Sequence, residues 1–154
     1  MKKYTIISLS ILSVLLLAHC KSQSDLTQNG RLNVINYNNP LVVGEFSEVA
    51  ELVLNLDRPQ FIRELSFDLN SADTLESLRV FQLVNTGADQ EKLPIAAIKD
   101  VVGSNVVYLD RQLEAGEHRF FVSVFPKDNP SSSNVRINFN HISSDKNKFV
   151  LVRD

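Results

Sequence analysis

The sequence predicts an all-β fold: an antiparallel β-sandwich, immunoglobulin-like or jelly-roll-like, of about seven or eight strands. Three observations predict it. Apolar and polar residues alternate with a period of two in one segment after another beyond Arg31. The spacers between these segments are rich in Asn, Asp, Pro and Gly. No stretch beyond residue 31 carries a helical period of apolar residues. A two-residue period puts the apolar set of each segment on one face of a strand. Two sheets can bury those faces against each other, which a single sheet cannot.

The chain begins differently. Lys2 and Lys3 give a short positive start, and Ile6 to Leu17 is uncharged and mostly Ile, Leu, Val and Ser. This run of about a dozen residues is too short for a membrane span of roughly 20. A positive start, a short apolar core and a small residue near its end read as a cleaved export signal over residues 1–19. Cys20 is the only cysteine in the chain, so it has no intramolecular disulfide partner. Residues 20–31 are mostly Ser, Gln, Asn, Asp, Thr and Gly, which bury little, and read as a flexible tether. The folded domain is then expected over residues 32–154.

The strands follow in order. Leu32 and Val34 alternate with Arg31 and Asn33. Leu52, Leu54 and Leu56 alternate with Val53, Asn55 and Asp57. Leu65, Phe67 and Leu69 alternate with Glu64, Ser66 and Asp68. Leu78 and Val80 alternate with Arg79 and Phe81. His118, Phe120, Val122 and Val124 alternate with Arg119, Phe121, Ser123 and Phe125. Val135, Ile137 and Phe139 alternate with Arg136, Asn138 and Asn140. The short β-prone run Phe149 to Val152 could close a sheet edge. Turns are expected at Asn38-Asn39-Pro40, Asp57-Arg58-Pro59, Ser71-Ala72-Asp73, Asn85-Thr86-Gly87, Ala115-Gly116 and Asp128-Asn129-Pro130. Pairing order cannot be read from such a pattern.

Composition excludes some functions. The chain carries 16 Lys+Arg and 18 Asp+Glu; without Lys2 and Lys3 the balance is about −4. That balance, with no basic cluster, argues against nucleic acid as a partner. Two well-separated histidines in the expected domain, His118 and His141, form no zinc signature, and no calcium loop motif is present, so neither metal nor cofactor is expected. No Gly-x-Ser-x-Gly and no glycine-rich phosphate loop occurs. Asp68, Asp73 and Glu76 gather near one turn. Glycosidases need two carboxyls facing each other across a sugar, which spacing along a turn does not supply. The candidate ligand or interface residues are aromatic. Phe81, Phe121 and Phe125 fall opposite the main apolar stripe, as a second buried face or a contact patch, and Tyr108 is one of two tyrosines beyond the signal.

Two resemblances add to this. Leu17-Ala18-His19-Cys20 resembles the lipobox of bacterial lipoproteins, with His19 where a small residue is common. That resemblance implies cleavage before Cys20 and acylation there, hence anchorage to a membrane at the bacterial outer membrane or cell surface. Three acyl chains exceed the two signals that stable anchoring requires. The stretch Leu65-Ser66-Phe67-Asp68-Leu69, then Ala72 to Phe81, and the later Leu113-Glu114-Ala115-Gly116-Glu117-His118-Arg119-Phe120-Phe121-Val122-Ser123, resemble the N-terminal accessory domain of bacterial exo-sialidases. This domain is also called the BNR-associated N-terminal domain. Phe121 stands where a tryptophan is common in that family. The resemblance spans about Val43 to Ile142 and implies a non-catalytic sandwich that binds a glycan or docks a sialidase catalytic propeller. The family's catalytic parts belong to the propeller. Ser143-Ser144-Asp145-Lys146-Asn147 begins like a propeller aspartate box but has Asn147 in place of the glycine, and reads as a turn. The competing class is a structural or adhesin-like envelope lipoprotein with no glycan role.

Overall fold

The structure, a computed structural model, describes residues 30–128, 134–143 and 148–149. The signal segment, Cys20, the tether up to residue 29, the Ser131-Ser132-Ser133 loop and residues 144–147 of the aspartate-box-like stretch lie outside the described residues. Nine strands occur among the described residues: β1 (Gly30–Asn36), β2 (Ser47–Leu56), β3 (Gln60–Leu69), β4 (Leu75–Thr86), β5 (Asp89–Lys99), β6 (Ser104–Leu113), β7 (Gly116–Pro126), β8 (Ile137–Ser143) and β9 (Lys148–Phe149). One 3₁₀ turn, Ala72–Thr74, joins β3 to β4.

They form two antiparallel sheets, one of five strands in the order β1-β2-β7-β4-β5 and one of four in the order β6-β3-β8-β9. The all-β sandwich is therefore as expected. β1 begins at Gly30, so Gly30 and Arg31, read from the sequence as the end of the tether, pair with Leu56 and Asn55 of β2.

The apolar stripes meet between the sheets. Leu52, Leu54 and Leu56 of β2, Leu78 and Val80 of β4, and Phe120, Val122 and Val124 of β7 come from one side. Ile62, Leu65, Phe67 and Leu69 of β3, Val107 and Leu109 of β6, and Ile137 and Ile142 of β8 come from the other. Apart from that of β6, each stripe is one that period-two alternation marks, save where a bulge interrupts it. Val49 and Ala50 are adjacent and both buried because the β2–β7 register shifts between Glu48 and Ala50. In β8 the register against β3 shifts between Ser66 and Phe67, which turns Ile142 into the core.

The two strands that the alternation does not mark are β5 and β6. β5 opens Asp89-Gln90-Glu91-Lys92 and contains Pro94. It is an edge strand with a half-buried or exposed face throughout, so no apolar stripe is required of it. β6 does alternate in burial: Asn105, Val107 and Leu109 are buried, Val106 and Tyr108 exposed. Its outward residues are as apolar as its inward ones, so burial alternates where hydropathy does not.

Two glycines make turns of the expected kind. Gly87, at φ +74°, opens the two-residue β4–β5 hairpin loop closed by the Thr86–Asp89 pair. Gly116, at φ +123°, starts β7 in a backbone region that L side chains rarely adopt.

Candidate functional site

The sandwich has two outer faces, and the four candidate aromatic residues divide between them. Phe81, Phe121 and Phe125 lie on the outer face of the five-stranded sheet, where Phe81 pairs with Phe121 in register across β4 and β7. Tyr108 lies on the outer face of the four-stranded sheet, paired with Glu64 of β3. They do not make one site.

The face of the five-stranded sheet is covered. The ring of Phe121 is 8% exposed, and Lys92 Nζ sits 3.7 Å from its centroid. Lys92 also donates to Glu48 Oε2 at 2.6 Å. Phe46, from the β1–β2 loop, packs on Phe125 with ring centroids 5.2 Å apart, and Arg79 lies 4.0 Å above the Phe46 ring. A cation over an aromatic face is attracted by the ring quadrupole while its stem hides apolar surface. Phe121 thus lies beneath a charged head and Phe125 against the Phe46 ring, while half-buried Phe81 sits beside Phe121 in register. Val42, Val43 and Phe46 of the loop beside it are exposed.

Further along the same face lies a polar network that the sequence pattern does not reveal. Glu51 is 7% exposed on β2. It accepts a 2.7 Å bond from the Tyr37 hydroxyl and a 3.1 Å bond from Arg119 Nη1. Arg119 Nε also donates to Glu117 at 2.7 Å, and its guanidinium is held further up by Glu117 and Glu51. Burial, the bond to Glu51 and the charges of Glu51 and Glu48 push the Tyr37 hydroxyl up to about 12 from an ordinary 10.0. A carboxylate taken out of water needs such donors. The three residues come from the β1–β2 loop, β2 and β7, so only folding joins them.

Tyr37→Phe leaves one oxygen of Glu51 without its donor. It should lower stability by about 1 kcal/mol at neutral pH. A folded-state pKa above the unfolded one stabilises fully below the unfolded value and is lost as pH rises through the folded value. Wild-type stability attributable to this hydroxyl should therefore decline between about pH 10 and pH 12. Urea denaturation across that window checks it; an alkaline decline of equal size in Tyr37→Phe would assign the loss to other groups.

The face of the four-stranded sheet is open and polar. Tyr108 is 64% exposed. Across β3, Glu64 and Ser66 lead to His141 of β8, whose Nε2 is 3.4 Å from Glu64 Oε1. Asp68, two residues further along β3, accepts 2.6 Å from Ser104 Oγ of β6 and 2.8 Å from Asn140 Nδ2 of β8. Those two donors, Ser104 first, hold its carboxyl below the ordinary 3.8. The register shift in β8 is what lets neighbouring Asn140 and His141 both serve this face. The result is one exposed ring beside a three-strand row of carboxylates, an amide and hydroxyls. Asp73 and Glu76, grouped with Asp68 in the sequence, take no part in it; Asp73 instead offers its backbone carbonyl to Lys127 Nζ at 2.7 Å.

Among the described residues no group of three or more His, Cys, Asp or Glu side chains is placed to hold a metal ion. His118 makes a 2.8 Å contact from Nε2 to the carbonyl of Glu114, at the turn into β7.

No protein-family model matches the chain, and no curated protein matches it. Solved structures do. One is titled Hadza microbial sialidase Hz136, with a TM-score of 0.60 and 10% sequence identity. The match covers 79% of this chain and 30% of that one. At this identity the likeness is one of fold: the sandwich has the architecture of a β domain within a sialidase chain, and it spans under a third of that chain's length.

Proposed function

We propose that the chain is a non-catalytic, lipid-anchored accessory module of glycan metabolism at the bacterial envelope, with the outer face of its four-stranded sheet as the glycan-binding surface. The observation that carries this reading is the fold likeness to part of a sialidase chain. The resemblance of the β3–β4 and β6–β7 segments to sialidase accessory domains agrees with it.

Of the four candidate aromatic residues, Tyr108 is the one with a mostly open ring. The C–H face of a sugar stacks on such a ring, while Glu64 and Asp68 accept from sugar hydroxyls and Asn140 lends an amide. Two carboxylates favour neutral sugars here over the sialic acid carboxylate itself. The module would hold the neutral stretch of a glycan whose terminal residue a catalytic domain removes. Phe81, Phe121 and Phe125 serve packing in this reading.

Titration of the purified chain with one oligosaccharide, with and without its terminal sialic acid, tests the proposal. The desialylated form should bind at least as tightly, and Tyr108→Ala should weaken binding about tenfold or more. Absence of binding to either form would favour a structural envelope lipoprotein. Release of free sialic acid by the chain alone would overturn its non-catalytic role.

A further inference from the structure

A sandwich of two open sheets has four edges, and each exposes a row of backbone donors and acceptors. Three of the four edges here are blunted. β5 carries Pro94 and four charged residues. β1 is tied at its end to β8 by Asn36, which donates to the carbonyl of Ile137 at 3.2 Å and accepts from its N–H at 2.7 Å. β9 is two residues long among the described residues. The fourth edge, β6, has none of these devices over Ser104-Asn105-Val106-Val107-Tyr108-Leu109: no charge, no proline and no glycine. One side pairs with β3, and among the described residues no strand pairs with the other. Val106 (40% exposed) and Tyr108 flank that open side, with Val102 (57%) just before the strand.

The segment is complementary to itself. Antiparallel pairing about a two-fold axis at Val107 sets Val106 opposite the second copy's Tyr108, and Asn105 opposite its Leu109. An aromatic residue opposite a β-branched one is a favourable cross-strand pair. Asp110 then faces Ser104, and Arg111 lies beyond the paired stretch, so no like charges meet. The residues of each pair share a parity, so the inward and outward faces of the two sheets continue into each other. A bulge ends the regular stretch on one side: β3 and β6 shift register between Ile62 and Glu64, and Asp110 takes φ +43°.

We infer that β6 is a self-association edge: two copies of this chain join their four-stranded sheets through Ser104–Leu109, antiparallel and centred on Val107. The interface is small, so the dimer is weak and reversible, and two open Tyr108 faces stand side by side on one continuous sheet.

Sedimentation equilibrium of the detergent-solubilised full chain, over concentrations up to about 200 µM, should show monomer and dimer exchanging. Val106→Lys, an exposed substitution that the fold tolerates, should weaken association about tenfold or more. Leu93→Lys, on the blunted β5 edge, should leave it unchanged. The double variant Val106→Cys with Tyr108→Cys should form a disulfide-linked dimer on mild oxidation that wild type, which retains Cys20, does not form. A chain that stays monomeric throughout, a Val106→Lys variant that associates like wild type, or a double cysteine variant that gives only monomer would each overturn the inference. None of these outcomes depends on glycan binding, which the titration reads separately.

Discussion

Replacing Phe120 by Ala should cost about 3–5 kcal/mol of stability, the largest effect of any single substitution considered. Phe120 is 1% exposed at the centre of β7, with Leu52 of β2 opposite it on one side and Gln82 of β4 on the other. Both neighbours belong to strands paired along their length, so the sheet cannot close over the void and the cavity term remains in full. A domain of this size has about 5–15 kcal/mol in total. The single cysteine allows no intrachain disulfide to make up the difference. Urea denaturation should show the midpoint falling by more than 1 M, with the slope unchanged. Phe125→Ala provides the comparison. Phe125 is half-buried on the outer face beside Phe46, and its loss should cost less than half as much. Equal losses at the two positions would mean that the outer aromatic layer is as essential as the core between the sheets.

Cys20→Ser should remove the membrane anchor completely. Cys20 lies outside the described residues, so this expectation rests on the sequence: a positive start, a short apolar run and Leu17-Ala18-His19-Cys20. Labelled palmitate fed to cells should enter the wild-type chain and not the variant, because serine has no thiol for the first acylation. Without acyl chains the attraction of the cleaved domain for the bilayer is small, since its charge is mildly negative and its apolar residues are largely used in the core. A wild-type chain that takes up no label would refute lipidation at Cys20. Equal labelling of the serine variant would place the acyl group elsewhere.

Much of the fold was legible because burial in a sandwich imposes one simple pattern. Leu52, Leu54 and Leu56, or Leu65, Phe67 and Leu69, must point the same way if they are in a strand, and they do. Where the pattern failed, the cause is local. The edge strand β5 has no need of an apolar face, and β6 is apolar on both, so neither shows alternation of hydropathy. Bulges at Glu48/Ala50 and Ser66/Phe67 shift the period by one residue, a change without a distinct residue signature here.

The candidate surface was less legible for a different reason. Phe81, Phe121 and Phe125 were identified as a set by their position opposite the core stripe, and they do share one face. Whether that face is open could not be read from those residues, because Lys92 from β5 and Phe46 from the β1–β2 loop are what cover it. Tyr108 was identified as an aromatic residue, but its companions Glu64, Asp68, Asn140 and His141 come from two other strands. The sequence by itself therefore determined the fold class, the core-forming strands other than β6 and the expectation of an anchor at Cys20. Those follow from spacing along one chain, where each side chain's direction is set by its neighbours. Only the tertiary structure decided the strand order, the separation of Tyr108 from the three phenylalanines, the Glu51 network and the unblunted edge of β6. Each of these depends on which distant segments lie side by side, and backbone pairing accepts many partners until the packing of both faces selects one.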